Sequence, residues 1–229
     1  MNQATEKRDG EKIFHGIKKS IEFKNVSFTY DKNKRTLRGI NVKILPKQIT
    51  AIVGPTGSGK STFVDMLPRL REPDEGRILF DNNILSSLDI TTLRKKVAYA
   101  PQNPQIINTT FLEYIAYGNK DKSISSIERA AKLSGAHQFI SKKSEGYKTF
   151  VGEDGGKLSG GQKQKVDLAR VLLKDASILI FDEPTSHLDL KSRESFLKIL
   201  RKLKAKISKT IIIIAHDIQK LAFVDKIIV

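Results

Sequence analysis

A short stretch beginning at residue 54 combines three glycines, whose backbone is not covered by side chains, with one lysine and one serine. Gly54, Gly57 and Gly59 are followed directly by Lys60 and Ser61, which matches G-x-x-x-x-G-K-[ST] without a gap. An apolar run precedes this pattern and a helix-favouring run follows it. Glycine amides can surround a polyphosphate, while the lysine reaches its terminal phosphates and the serine can bind Mg²⁺. The sequence therefore predicts a phosphate-binding loop with these residues: Gly54, Pro55, Thr56, Gly57, Ser58, Gly59, Lys60, Ser61 and Thr62.

Two adjacent carboxylates follow a second apolar run. Residues 176–181 are apolar except for Ser177, as strands of a parallel sheet tend to be, and Asp182 and Glu183 come next. Ligands collect at the carboxyl ends of such strands. We expect Asp182 to hold a Mg²⁺ ion on the nucleotide phosphates and Glu183 to accept a proton from an attacking water. Pro184 leaves open the alternative that the two acids only begin a turn.

A second glycine-rich helix start lies at Leu158-Ser159-Gly160-Gly161-Gln162. A helix N-terminus suits an anion, yet one triphosphate bound to one subunit needs no second such start. The structural alternative is a capped helix, with Ser159 as the N-cap residue.

Composition and charge limit the function classes. With 229 residues, 39% hydrophobic residues and no cysteine, the chain fits a soluble globular protein without disulfides or zinc-thiolate sites. The longest apolar run has about five residues against about 20 for a membrane span, so no bilayer crossing is expected. The net charge is +16, with many basic residues in 191–209. An apolar stripe in the same segment, Phe196, Leu200, Leu203 and Ile207, favours a helix with a solvated basic face. A membrane surface and nucleic acid are the alternatives.

The elements that position these residues follow from periodicity. Spaced apolar residues predict strands at 21–30 and 37–44, before the strand of the phosphate-binding loop. A helical pattern covers 110–142, and a helix is expected from 161 to 174. Residues 1–20 are polar with little periodicity and predict a flexible arm or linker. Further strands are predicted at these ranges: 77–80, 176–181, 210–215 and 226–229.

Taken together, the ordered motifs resemble the nucleotide-binding domain of an ATP-binding cassette (ABC) transporter over residues 21–229. Leu158–Gln162 reproduces the LSGGQ signature of that family, and Gln102 stands at the glutamine of its Q-loop. Residues 186–189 resemble the D-loop. His216 resembles the switch histidine, and Tyr30 the aromatic residue that stacks on adenine.

This resemblance implies a fold, cofactors and partners. The fold would be α/β: a P-loop NTPase parallel-sheet core, an N-terminal antiparallel β-subdomain, and a helical subdomain over about 103–170 carrying the signature. The cofactors would be ATP and Mg²⁺, with Ser61, Gln102 and Asp182 as metal ligands. Two such domains would pair head to tail, and the signature of one (Ser159, Gly160, Gly161 and Gln162) would face the nucleotide of the other. Catalysis would use Glu183, His216 and Gln102.

The resemblance also implies a place in the cell. The domain would work at the cytoplasmic face of a membrane through transmembrane domains, with the isolated chain soluble and no nucleic acid as partner. Residues 149–155 resemble the TxVGExG segment of exporters. An importer ATPase encoded as a separate chain, and an ABC ATPase acting on nucleic acid, are the alternatives.

The sequence departs from the family pattern at three positions and at its end. Lys47, Tyr114 and Asp217 stand where the family usually has Gly, Asn and Arg. The chain stops before the strand and helices with which such domains usually end, so we expect a C-terminally shortened domain.

Overall fold

The computed structural model describes residues 10–31, 34–120, 122–186, 188–205, 209–215 and 223–229. The strands are β1 (Ile21–Asp31), β2 (Lys34–Ile44), β3 (Ile49–Ile52), β4 (Glu75–Phe80), β5 (Asn83–Ile84), β6 (Val97–Ala100), β7 (Ile178–Asp182), β8 (Thr210–Ile214) and β9 (Lys226–Ile228). The helices are α1 (Lys60–Asp65), α2 (Ile90–Lys96), α3 (Phe111–Ala116), α4 (Ile124–Ser134), α5 (His137–Ile140), α6 (Gly160–Leu173) and α7 (Leu190–Ala205).

The strands of the described residues form two sheets of different kind. The first has four strands in the order β2-β1-β4-β5, and its pairings are antiparallel. The second has five strands in the order β6-β7-β8-β3-β9, and its pairings are parallel. The predicted α/β fold, with an antiparallel sheet beside a parallel core, is confirmed.

The parallel sheet is buried on both faces, which explains its nearly continuous apolar strands. Ile178 and Ile180 of β7 pack into one core cluster with Phe23 of β1 and Phe63 of α1. The Phe23 and Phe63 rings stack with centroids 4.1 Å apart, so the antiparallel sheet holds α1 in place.

The opposite face of the sheet packs against α7. Phe181 of β7 meets Phe196 edge to face at 5.5 Å, and Leu200 is fully buried beside them. The predicted apolar stripe therefore faces the sheet as far as Leu203, and Ile207 lies outside the described residues.

A third core cluster joins helices α3, α4 and α6. Val166 and Ala169 of α6 belong to it, whereas Leu168 and Val171 of the same helix pack on the parallel sheet. The helix that begins at the signature thus connects the helical region to the core.

The helical pattern predicted for 110–142 is divided into three helices. Gly135 adopts a left-handed conformation, with φ 77°, and closes α4. Gly118 has φ 72° two residues after the end of α3. Such residues end helices because a left-handed backbone cannot continue the hydrogen-bond ladder.

Residues 10–20 pack against the first sheet rather than extending from it. Phe14 is 6% exposed and meets Phe80 edge to face at 5.5 Å. The Asp81 carboxylate accepts hydrogen bonds from the backbone amides of residues 18–20. The arm predicted for 1–20 and the boundaries of the helical subdomain stay predictions, and residues 1–9 lie outside the described part.

Within the described residues, no helix has the length and apolar character of a membrane span.

Candidate functional site

The phosphate-binding loop runs from the end of β3 into α1. Gly57 and Gly59 have φ 81° and 89°, a left-handed backbone that glycine adopts without strain. Gly59 also lies against β2: a Cβ atom there would stand 2.8 Å from Leu37 Cδ2 and 3.0 Å from the Thr36 carbonyl oxygen. Glycine at 59 is therefore required by close packing as well as by backbone conformation.

Lys60 is the cation of this loop and is only 8% exposed. Its ammonium donates hydrogen bonds to the carbonyl oxygens of Gly54, at 3.0 Å, and Pro55, at 2.8 Å. These contacts hold the charge over the loop, where the spacing of the motif predicts it.

Asp182 closes β7 and is 3% exposed. Burial raises the pKa of this carboxyl, the nearby Glu183 and Asp65 add to the rise, and the Ser61 hydroxyl partly opposes it. Its Oδ2 lies 3.4 Å from the Tyr99 hydroxyl. Among the described residues, Oδ1 is buried without a hydrogen bond of normal length.

Glu183 and Gln102 meet at the edge of the same site. The Gln102 amide donates a hydrogen bond of 2.8 Å from Nε2 to Glu183 Oε2. A cavity of about 410 Å³ lies in front of them. It is lined by residues from five parts of the chain: Tyr30, Thr36, Thr56, Gly57, Gly59, Lys60, Ser61, Thr62, Gln102 and Glu183.

Tyr30 stands at the outer side of this cavity with 56% of its surface exposed. Its hydroxyl accepts a hydrogen bond of 3.2 Å from Thr62 Oγ1. The Arg71 guanidinium lies over its ring, 5.2 Å from the centroid. An exposed aromatic ring held in this way can stack on a planar base.

The signature segment lies elsewhere. Ser159 is the N-cap of α6, and Gln162 completes a capping box: Gln162 N donates to Ser159 Oγ at 3.3 Å, and Ser159 N to Gln162 Oε1 at 3.1 Å. Ser159 and Gly160 are exposed, and none of the described residues that line the 410 Å³ cavity comes from this segment.

The structure thus brings together most of the predicted site residues within one chain, and leaves the signature apart. His216 lies outside the described residues. Sequence reasoning did not find Thr36, Arg71, Asp65 or Tyr99. Tertiary contacts bring Thr36, Arg71 and Tyr99 to the site, so no local spacing identifies them, whereas Asp65 ends the helix that follows the loop.

A parallel sheet whose glycine-rich loop and acidic strand end share one cavity defines the class of nucleotide-binding P-loop domains. The sequence profile described as "ABC transporter" matches residues 37–186. The chain belongs to the ABC transporter family and corresponds to the ATPase domain of its members.

Known proteins similar to the chain agree with this assignment. ABC transporter B family member 14 of Arabidopsis thaliana is 40% identical over 93% of the chain and 17% of its own length. The leukotoxin translocation ATP-binding protein LktB of Mannheimia haemolytica is 38% identical over 100% of the chain and 32% of its own length. A bacterial Atm1-family ABC exporter solved with ATP bound is similar with a TM-score of 0.89 and 38% identity, over 94% of this chain and 38% of that one. The chain therefore spans well under half the length of these relatives.

Proposed function

We propose that this chain is the ATP-hydrolysing motor of an ABC exporter, working at the cytoplasmic face of a membrane through transmembrane domains. The observation that carries the proposal is the convergence of Lys60, Ser61, Gln102 and Glu183 on one cavity. The exporter assignment is supported by the names of the relatives and by residues 149–155, and these favour it over an importer. Nucleic acid is not among the expected partners.

Nucleotide binding is assigned to the loop and to Tyr30. The backbone N–H groups of residues 56–62 surround the phosphates, and Lys60 exchanges its carbonyl partners for phosphate oxygens. The exposed ring of Tyr30 stacks on the adenine.

The donor set at Asp182 fits Mg²⁺. Among the described residues, no group of three or more His, Cys, Asp or Glu side chains is placed to hold a metal ion by itself. Magnesium is commonly held by one or two carboxylates, water and substrate phosphates. Asp182, with its buried Oδ1, would hold the ion with the Ser61 hydroxyl and Gln102. The bound ion would offset the negative charge of the phosphates.

Glu183 is assigned as the general base for water. Its carboxylate borders the cavity, and the bond from Gln102 Nε2 fixes its orientation. A positioned base contributes about 10²–10⁴-fold to a rate. His216 is assigned to the γ-phosphate.

A second ATP-binding domain completes the site in this proposal. The exposed Ser159 and Gly160 do not line the cavity of their own chain, and their exposure lets them approach the nucleotide of a partner. A head-to-tail pair of two such domains satisfies both sites at once. The opening and closing of that pair would drive the transmembrane domains.

Replacing the loop lysine tests the nucleotide site. Lys60→Ala should weaken ATP binding about tenfold or more, because hydrogen bonds to charged groups contribute about 1.5–3 kcal/mol. Isothermal titration with ATP measures this. Lys132→Ala is the matched control, since the Lys132 side chain is exposed on α4 and contacts only Glu128 among its described ion pairs. Equal ATP affinity in Lys60→Ala and the wild type would refute the loop assignment.

A further inference from the structure

A buried tyrosine on β6 lies between two carboxylates beside the proposed metal site. The Tyr99 hydroxyl is 2.9 Å from Asp65 Oδ1 at the end of α1 and 3.4 Å from Asp182 Oδ2 at the end of β7. One hydroxyl proton serves both acceptors. The unequal lengths mean that Asp65 accepts the stronger bond and anchors the hydroxyl against Asp182.

A phenol hydroxyl is an uncharged donor, and here it lies between two carboxylates that would otherwise repel each other.

The two oxygens of Asp182 consequently have different environments. Oδ2 faces the anchored phenol, while Oδ1 is buried without a hydrogen bond of normal length among the described residues. We propose that Tyr99 is a positioning residue for the magnesium site: with Asp65 it fixes the Oδ2 side of Asp182, so that Oδ1 is presented to the cation. The inference rests on the proposed function, because it requires that Asp182 bind Mg²⁺.

This role predicts a specific defect in Tyr99→Phe. The variant keeps the ring but loses the contact that orients a metal-binding carboxylate. Removing such an outer partner costs about 10–100-fold in metal affinity. The Mg²⁺ midpoint, which is the Mg²⁺ concentration that gives half of the Mg²⁺-dependent thermal shift, should therefore rise about tenfold or more. The binding of nucleotide without metal should not change.

Tyr114→Phe is the matched control. The Tyr114 hydroxyl also donates a 2.9 Å hydrogen bond to a buried carboxylate, Asp167 Oδ1, and the residue is 4% exposed. It lies in the core of the helical region and not beside Asp182. Its loss should lower stability without changing the Mg²⁺ dependence.

The experiment is a thermal-shift titration with a non-hydrolysable ATP analogue, first in EDTA and then with increasing Mg²⁺. The expected result is a normal shift in EDTA and a raised Mg²⁺ midpoint for Tyr99→Phe alone. An unchanged midpoint in Tyr99→Phe, or an equal rise in Tyr114→Phe, would overturn the inference. If the wild type itself shows no Mg²⁺-dependent shift, the proposed metal site fails, which is a separate outcome.

A second pair of measurements separates orientation from packing. In an Asp182→Asn background, Tyr99→Phe should cause no further change in the Mg²⁺ response, because Tyr99 acts through Asp182. Should Tyr99→Phe not fold, site-specific 3-fluorotyrosine at 99 keeps the hydroxyl and makes it a stronger donor. It should lower the Mg²⁺ midpoint, and a midpoint that is unchanged or higher would refute the role.

Discussion

At the scale of single residues, Glu183, the proposed general base, has a strained backbone. Its φ is 47°, in the left-handed region, and its amide donates a 3.2 Å hydrogen bond to the Ile214 carbonyl oxygen on β8. A residue other than glycine in this region costs about 1–3 kcal/mol. The conformation turns the chain directly after Asp182, so that two adjacent carboxylates take different positions at the site. We infer that the strain is kept because it separates their roles.

Glu22 provides a pH prediction at the same scale. Hydrogen bonds from Lys43, Ser20 and Lys24 lower the pKa of Glu22 from 4.5 to about 2. Because the folded pKa is depressed, this contribution to stability is complete above pH 4.5 and is lost as the pH falls toward 2. Between these values the wild type should lose more free energy of unfolding than Glu22→Gln.

Urea unfolding of both proteins at several pH values measures the difference. The ion pairs of Glu22 are partly exposed, so the difference should shrink at high salt. Glu128→Gln is the control, because its pair with Lys132 is longer, at 3.7 Å. If the free energy of unfolding depended on pH in the same way in the wild type and Glu22→Gln at low salt, the expected role of Glu22 would be contradicted.

The residues that could be predicted from sequence are those whose chemistry lies in a local pattern. Lys60 and Ser61 follow from the spacing of the loop, and Asp182 from its place after an apolar strand. Tyr99 could not be found in this way, because its two partners are 34 and 83 positions away along the chain. Its role depends on how α1 and two strands meet in three dimensions.

At the scale of elements, the phosphate-binding loop is shaped by β2 as well as by its own glycines. A side chain at Gly57 would point into open space, whereas one at Gly59 would meet Thr36 and Leu37 of β2. Both substitutions to alanine cost about 1–2 kcal/mol for the left-handed backbone. Gly59→Ala should lose about 1–3 kcal/mol more free energy of unfolding than Gly57→Ala, because its methyl group overpacks against β2. Its ATP affinity should also fall further than that of Gly57→Ala.

Chemical unfolding and ATP titration of the two variants test this difference, with Gly57→Ala as the matched control. If the two variants were equally stable and bound ATP equally well, contact with β2 would not shape the loop.

The turn before β3 shows what pattern reasoning can and cannot supply. Lys47 has φ 56°, a left-handed conformation, at the position where the family usually has glycine. The sequence revealed the departure, and the structure shows that the backbone shape is kept despite it. The helix boundaries were harder to predict, because apolar periodicity continued across Gly118 and Gly135, where the chain in fact turns.

At the scale of the whole molecule, the signature segment does not line the cavity that we propose as the nucleotide site. The cavity holds the loop, Gln102 and Glu183, while Ser159 and Gly160 stand exposed at the start of α6. In the proposed function, a second ATP-binding domain is therefore needed to bring a signature to each nucleotide. Blocking hydrolysis should trap this pair, because the nucleotide that joins the two domains is then not consumed.

The most direct test is sedimentation velocity of Glu183→Gln with ATP and Mg²⁺, with EDTA in place of Mg²⁺ as the control. We expect a dimer that forms with Mg²⁺ and ATP, together with turnover about 10²–10⁴-fold below the wild type. A protein that binds ATP and Mg²⁺ yet remains a monomer at every concentration, or that hydrolyses ATP at the wild-type rate, would contradict it.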